Sequence, residues 1–303
     1  MVPSGLHDHP DAERDGLRRV LVDGTPVLTV ARGGDLFALP ESLGDLLAAG
    51  RTRVLHAVER ALDGPPLTSA AKLLAPVDGQ EIWASGVTYR RSASAREQES
   101  VVADVYTLVY EAERPELFLK ATAGRVPPPG APLRIRADSG WDVPEPELAL
   151  VLDAQAQIVG FLVADDVSSR AIEGANPLYL PQAKIYDDSL GLSGTIVLAS
   201  EDDDAIRAAA IELVVRRSGE AVFTGSASVA DMRRSFDELV EALFRELSHP
   251  AGAVLLTGTG VVPPDDFALA PRDEVRISIE GVGVLAHEIY RQETREHVQD
   301  TDR

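Results

Sequence analysis

The chain has 303 residues, 45% of them hydrophobic, enough for a sizeable core in one large domain or in a small one plus a medium one. Lys plus Arg number 29 against 49 Asp plus Glu, a net charge of −20, which repels nucleic acid, and no basic stripe with interleaved aromatics offsets it. No uncharged apolar run reaches the roughly eighteen residues of a membrane span, the N-terminus lacks the basic-then-apolar layout of an export signal, and the absence of cysteine excludes disulfides and thiolate chemistry. A cytoplasmic location is the resulting expectation. The acidity itself reads as solubility or adaptation to a salty cytoplasm and does not reveal a substrate. The cations are lopsided: Lys72, Lys120 and Lys184 are the only lysines and the rest are arginines. A kept ammonium asks what it does that a guanidinium cannot.

Residues 1–16 read as a polar, frayed tail. Short apolar runs at Val20–Val22 and Val27–Val30 and a helical stretch over Leu46–Leu62 predict a small α/β unit. Pro76 to Gly79 mark a boundary, so the expected domains are residues 1–76 and 77–303. Glu81 to Gly86 predict a strand running into a loop. Ala93 to Glu113 have helical spacing, with Val101, Val105, Leu108 and Val109 on one face. The Pro-rich stretch Val126–Pro132 then separates this helix from a strand-rich half. There, Glu147–Leu152 and Ile158–Val163 predict a hairpin turning at Asp153–Gln157, and Ile211–Arg216 with Ala221–Thr224 predict another around Ser218-Gly219-Glu220. Phe236, Leu239, Val240, Leu243 and Leu247 predict a helix ended by Pro250. Strands at Ala253–Leu256, Val275–Ile279 and Val284–Ile289 complete an α+β pattern without the βαβ alternation of a Rossmann-type sheet.

Glu145 and Glu147 open an extended apolar run, where residues two apart share a face. Two other Glu-x-Glu pairs, Glu97/Glu99 and Glu111/Glu113, fall in helical spacing and diverge. A tight hairpin puts Asp166 opposite Glu145 on the same face. Three carboxylates converging there either stay solvated at the sheet end or hold a hard cation, for which an all-oxygen set suits Mg²⁺, Mn²⁺ or Ca²⁺. The six histidines are scattered and disfavour zinc. In Asn176 to Tyr186 two prolines are expected to force a non-helical path that delivers Lys184 into an apolar setting, as a snorkelling side chain or as an ammonium at the site. Thr257-Gly258-Thr259-Gly260 follows a strand and reads either as an ordinary turn or as an anion-binding one.

These motifs together resemble the fumarylacetoacetate hydrolase family from about Glu81 to the C-terminal strands. The resemblance rests on Gly86-Val-Thr-Tyr89, Leu117-Phe-Leu-Lys120, Glu145-Pro-Glu-Leu-Ala-Leu-Val, Asp166-Val-Ser-Ser-Arg170, Gln182-Ala-Lys184 and Leu256-Thr-Gly-Thr259, in family order. It implies a strand-rich mixed β-sandwich roll behind a smaller N-terminal domain, assembled as a homodimer or homotetramer. It also implies Mg²⁺ or Mn²⁺ on Glu145, Glu147 and Asp166, with Lys184 and Thr259 at the substrate. The family's hydrolases and decarboxylases carry a water-activating His and Glu where this chain has Ser92 and Ala95, which puts hydrolysis in doubt. Glu173 through Lys184 and the glutamate of Pro115-Glu116-Leu117-Phe118 are instead similar to the sugar-acid dehydratase branch, typified by 2-keto-3-deoxy-D-arabinonate dehydratase. The implied activity is dehydration of a 2-keto-3-deoxy pentonate to 2,5-dioxopentanoate, with Glu116 and Lys184 handling protons and Tyr89, Arg90 and Thr259 contacting substrate. Arg90 reads equally as one of a solvated pair with Arg91. Competing expectations are a C–C hydrolase or decarboxylase on the same fold and a non-enzymatic metal-stabilised binding protein.

Overall fold

The computed structural model describes residues 14–69, 71–92 and 104–292. The expected frayed tail lies outside them except for its last residues, and so do the histidines at 7, 9 and 297. Gly16–Val22 (β1), Thr25–Arg32 (β2) and Asp35–Leu39 (β3) form an antiparallel meander, and Ala71–Leu73 (β4) pairs with the free side of β1. The turns are Asp23-Gly24, with φ of 49° and 80°, and Gly33-Gly34, with φ of 58° and 86°. Such left-handed pairs close two-residue hairpins, which leave no room for a crossover helix. The unit expected as α/β is therefore antiparallel, with its helices following β3. Its expected single helical stretch is two helices, Leu43–Ala49 (α1) and Arg51–Leu62 (α2). Ser42 and Asp45 close a capping box at the start of α1. Gly50 breaks the run: its φ is 94°, and a Cβ there would lie 2.5 Å from Gln155 Oε1.

Glu81–Ala84 (β5) follows as expected. Of the helix expected over Ala93–Glu113, Asp104–Glu111 (α3) is described; Val101, Ala95, the Glu97/Glu99 pair and the Val105 side chain lie outside the described residues. Leu108, expected on the apolar face, is 65% exposed, while Tyr106, Val109 and Tyr110 pack against Val87. Phe118–Thr122 (β6), Leu133–Ile135 (β7) and Asp142–Val143 (β8) lead to the predicted hairpin, Pro146–Leu152 (β9) with Ile158–Asp166 (β10). Ser168–Ser169 (β11) pairs with β8. Arg170–Ala175 (α4) and Leu180–Lys184 (α5) flank a 3₁₀ turn at Pro177–Tyr179. The non-helical path expected of the two prolines is thus corrected: each starts a helical turn, where the missing N–H costs nothing and the fixed φ fits.

Leu190–Leu192 (β12), Val197–Leu198 (β13), Asp204–Arg207 (α6), Ala210–Arg217 (β14) and Glu220–Ser228 (β15) come next. Phe236–Phe244 (α7) stops short of Leu247, because the chain leaves it to bury His249 against Trp83 and Phe244. Ala253–Leu256 (β16), Glu274–Ile279 (β17) and Gly283–Arg291 (β18) end the described chain. The strands form a seven-stranded mixed sheet in the order β12-β10-β9-β16-β5-β6, with β13 also on β10, and a five-stranded sheet in the order β15-β14-β17-β18-β7.

Strand β9 is buried along its whole length, so its alternation divides two cores rather than core from solvent. Leu148, Leu150 and Leu152, with Phe161 and Val163 of β10, face the five-stranded sheet and α7. Ala149, Val151, Leu162 and Ala164 face the other way, onto β1, β2, α1 and α2. Each fully buried leucine or valine here stabilises the fold by about 1.5–3 kcal/mol. No helix among the described residues is long and apolar enough to cross a membrane.

Candidate metal centre

The strand alternation that sorts the two cores also sorts the acids. Glu145, just before β9, and Glu147, within it, share the face of Ala149 and Val151. On β10, Asp166 shares the face of Leu162 and Ala164, and the Asp166 amide donates to the Glu145 carbonyl over 3.0 Å. The register expected from a tight hairpin is therefore present. Glu145, Glu147 and Asp166 are all buried, and each offers a carboxylate oxygen within 4.8 Å of the others. Asp165 points to the opposite face. Its carboxylate accepts from the Glu145 amide at 2.9 Å and meets His287 Nε2 of β18 at 2.8 Å, which ties the acid-bearing hairpin to the second sheet.

Cations crowd two of the three acids. Lys184 Nζ donates to Glu145 Oε2 at 2.7 Å and to Asp166 Oδ2 at 3.1 Å. Lys120 Nζ, with no exposed surface, lies 2.6 Å from Asp166 Oδ1 and donates to the carbonyls of Lys184 and Val167. Arg170 Nη2 donates to Glu145 Oε1 at 3.1 Å. Two of the three lysines thus meet at one aspartate, where a compact ammonium fits and a planar guanidinium does not. Burial pulls the Lys120 ammonium below the ordinary lysine range, against the attraction of Asp166. Glu147 receives its hydrogen bond from the Gly258 amide, at 2.5 Å. The turn expected as either ordinary or anion-binding thus sets an amide against this chain's own glutamate. Burial first, then the charges of Asp166 and Glu145, push Glu147 well above the usual carboxylate range. A buried all-oxygen set with one carboxylate this poorly compensated fits a hard divalent cation such as Mg²⁺.

The triad lines a small cavity of about 20 Å³ together with Glu116, Lys184 and Thr259. Gly86 lines it too, and a Cβ there would come within 2.1 Å of Glu116 Oε2; the glycine makes the room that Glu116 fills. The Thr259 hydroxyl exchanges hydrogen bonds with the backbone of Val261. Tyr89 is buried behind the cavity wall, its phenol pushed up by burial and then by the charges of Glu147 and Asp231. Arg90 is not brought to the cavity: it is exposed, with its guanidinium 5.5 Å from the centre of the Tyr110 ring.

Residues given no role from the sequence also gather here. Ser92, at the position of the family histidine, is buried in the cavity wall, and Glu173, one turn beyond Arg170 on α4, lines it as well. Lys120 carried a signal in the rarity of lysine. Arg170 stood only as the end of a family-like motif, and Asp165 and His287 carried no signal, because their partners lie 20, 25 or 122 residues away in sequence.

Residues 81–290 match the family profile described as fumarylacetoacetate (FAA) hydrolase C-terminal. A Haloferax volcanii protein named "Probable 2-keto-3-deoxyxylonate dehydratase" is 41% identical over 284 residues, covering 89% of this chain and 98% of that protein. The 2-dehydro-3-deoxy-D-arabinonate dehydratase of Saccharolobus solfataricus is 38% identical over 218 residues, 71% of this chain and 73% of the relative. A solved structure of 2-keto-3-deoxy-D-arabinonate dehydratase complexed with magnesium and 2,5-dioxopentanoate superposes with a TM-score of 0.77 at 31% identity, covering 91% of this chain and 99% of that one. The chain belongs to the fumarylacetoacetate hydrolase family.

Proposed function

We infer that this chain is a magnesium-dependent hydro-lyase that dehydrates a 2-keto-3-deoxy pentonate to 2,5-dioxopentanoate. The observation that carries the reading is the content of one cavity: the Glu145, Glu147 and Asp166 triad faces Glu116 and Lys184, while a serine, Ser92, stands where a hydrolase of the family needs its histidine. The names of the relatives at 41% and 38% identity support it.

Glu145, Glu147 and Asp166 hold the cation in this reading, with Mn²⁺ as the alternative to Mg²⁺. Bound there, a divalent ion supplies Lewis-acid polarisation of a chelating 2-oxo carboxylate, worth several kcal/mol at the transition state. The chain's own residues do the rest. Glu116, seated against Gly86, removes a proton from C3. Lys184, fixed between Glu145 and Asp166, presents an ammonium to the developing negative charge and shares the proton handling. Ser92 cannot act as a general base at neutral pH, so it does not replace the histidine by which the family's hydrolases activate water. Thr259 is the substrate contact from the opposite wall, and Tyr89 acts by packing behind Glu147. Arg90 enters the reading only as a residue outside the described cavity. Residues 1–76 form a small domain that covers the α1/α2 face of the seven-stranded sheet, and residues 77–303 form the catalytic domain. Assembly as a homodimer or homotetramer in the cytoplasm completes the reading; the edge strand β15, with Val222 42% exposed, is suited to pairing between copies.

The test is incubation of the purified protein and Mg²⁺ with 2-keto-3-deoxy-D-pentonate (the arabinonate and xylonate derivatives are one compound) and with its L enantiomer, assayed for 2,5-dioxopentanoate. Release of pyruvate from an acylpyruvate or of CO₂ from oxaloacetate, with no dehydration, overturns it in favour of a hydrolase or decarboxylase. Inactivity on all of these with intact Mg²⁺ binding leaves a binding protein.

A further inference from the structure

Resting on that function, we propose that Glu173 is the second proton-handling carboxylate of the site, serving the C4–C5 end of the substrate while Glu116 serves C3.

The chemistry demands two such groups. Loss of a C3 proton sends the C–H electron pair toward the 2-oxo oxygen. Its return forms the C3=C4 bond and breaks the C4–O bond, and the hydroxyl leaves as water after gaining a proton. The product named with the related enzyme has its second carbonyl at C5, so the reaction does not stop there. A C5 hydrogen must leave as a proton, C3 must regain one, and the resulting C4=C5 enol must take a proton on C4 and give one from its oxygen. Three protons leave the substrate carbons and hydroxyl, and three are delivered. One carboxylate that takes from C3 and returns to C3 closes one of these three exchanges. A second group that gives a proton to the departing hydroxyl and then takes one from C5 closes another, and both end as they began; the third, from the enol oxygen to C4, passes through water.

The cavity narrows the choice of that second group. Among the described residues lining it, the groups that exchange protons are Glu116, Glu145, Glu147, Asp166, Glu173 and Lys184. Three of these are the metal ligands. Lys184 is bonded to the ligand oxygens of Glu145 and Asp166, which holds its ammonium at the 2-oxo end. The Ser85 hydroxyl donates to the Glu116 carbonyl and the Thr259 hydroxyl donates to Val261. Glu173 and Glu116 remain. Glu173 is 5% exposed and sits on α4, a helix capped by Ser169 and fixed one turn earlier by Arg170 on Glu145, so residues 170 and 173 share its inner face. That mounting holds the carboxyl to the fixed geometry that proton transfer requires.

The test separates the two ends. In D₂O with Mg²⁺, Glu173→Gln is expected to place deuterium at C3 of recovered substrate at least tenfold faster than Glu116→Gln, yet to release 2,5-dioxopentanoate at least a hundredfold more slowly than the parent. A binding measurement needs no turnover: in a Glu116→Gln background, adding Glu173→Gln should weaken a 4-hydroxy-2-oxo acid several-fold and leave 2-oxopentanoate and Mg²⁺ affinity unchanged by calorimetry. The assignment is overturned if Glu173→Gln dehydrates within tenfold of the parent, if it loses C3 exchange together with dehydration, or if it loses Mg²⁺ binding. A parent protein that forms no 2,5-dioxopentanoate defeats the underlying function instead, a distinct result because the variant then has no activity to lose.

Discussion

Asp142→Asn isolates a single buried charge away from the cavity. Asp142 lies in β8 with no exposed surface. Its backbone carbonyl accepts from the Leu269 amide, a bond that the substitution leaves alone. Burial pushes its carboxyl from an ordinary 3.8 up to about 6, outweighing help from Ser139 and from Arg291, whose Nη2 lies 3.9 Å away. A folded-state value above the unfolded one means that the folded chain holds the proton more tightly. The stability from this group is fully present below about pH 3.8 and is lost as pH rises through about 6. Above pH 7 the ionised side chain costs the folded state about 3 kcal/mol. Asparagine has nearly the same shape and does not titrate, so the variant should be more stable than the parent by up to that amount at pH 7.5. For a chain of this size that corresponds to roughly 6 °C in melting temperature. The gap should shrink to a fraction of this at pH 4. Thermal melts of both proteins across pH 4 to 8 measure it. A variant no more stable than the parent at pH 7.5, or a gap that does not change with pH, refutes the reasoning.

Four further outcomes follow from the centre itself. Glu147→Gln removes the carboxylate with the least cationic compensation, so it should abolish Mg²⁺ binding by calorimetry while melting no lower than the metal-free parent. Chelation should remove activity reversibly, and Mg²⁺ at a hundred times its dissociation constant should raise stability by about 2.7 kcal/mol, read as a shift in melting temperature that the Glu147→Gln variant lacks. Lys120→Met leaves Asp166 with one ammonium in place of two and should destabilise the metal-free protein by about 3–5 kcal/mol; a double variant that also carries Asp166→Leu should recover part of that loss in denaturant titrations. Gly86→Ala drives a methyl into the space of Glu116 Oε2 and should lower kcat on the order of a hundredfold with Mg²⁺ affinity intact; an unchanged kcat would show that Glu116 is not held where it acts.

The sequence by itself determined the elements whose signal is local. The β9/β10 hairpin, the β14/β15 hairpin at Ser218-Gly219 and the pairing of Asp166 with Glu145 follow from strand alternation and turn length, which are set within about twenty residues. Local signals also misled where one residue outvoted a pattern, as Gly50 did in splitting α1 from α2. The prolines of Pro177 and Pro181 began turns that were expected to be broken. The Asp23-Gly24 and Gly33-Gly34 turns carry the local signal of two-residue hairpins, so the antiparallel character of the unit expected as α/β is itself written in the sequence. What tertiary structure alone decided is the company each acid keeps. Asp165 and Asp166 are neighbours in sequence with the same chemistry, yet the pleat sends one to His287 and the other to Lys120 and Lys184. Sequence assigns a residue to a face only once both cores are known, because β9 and β10 are apolar on both sides and offer no polar face to orient them. The same holds for Arg90, placed at the substrate by its neighbour Tyr89 and carried by the fold to the Tyr110 ring instead. Glu173 is the converse case: the sequence marks it only as the start of a family-like stretch, and packing across α4 brings it into the cavity of the triad.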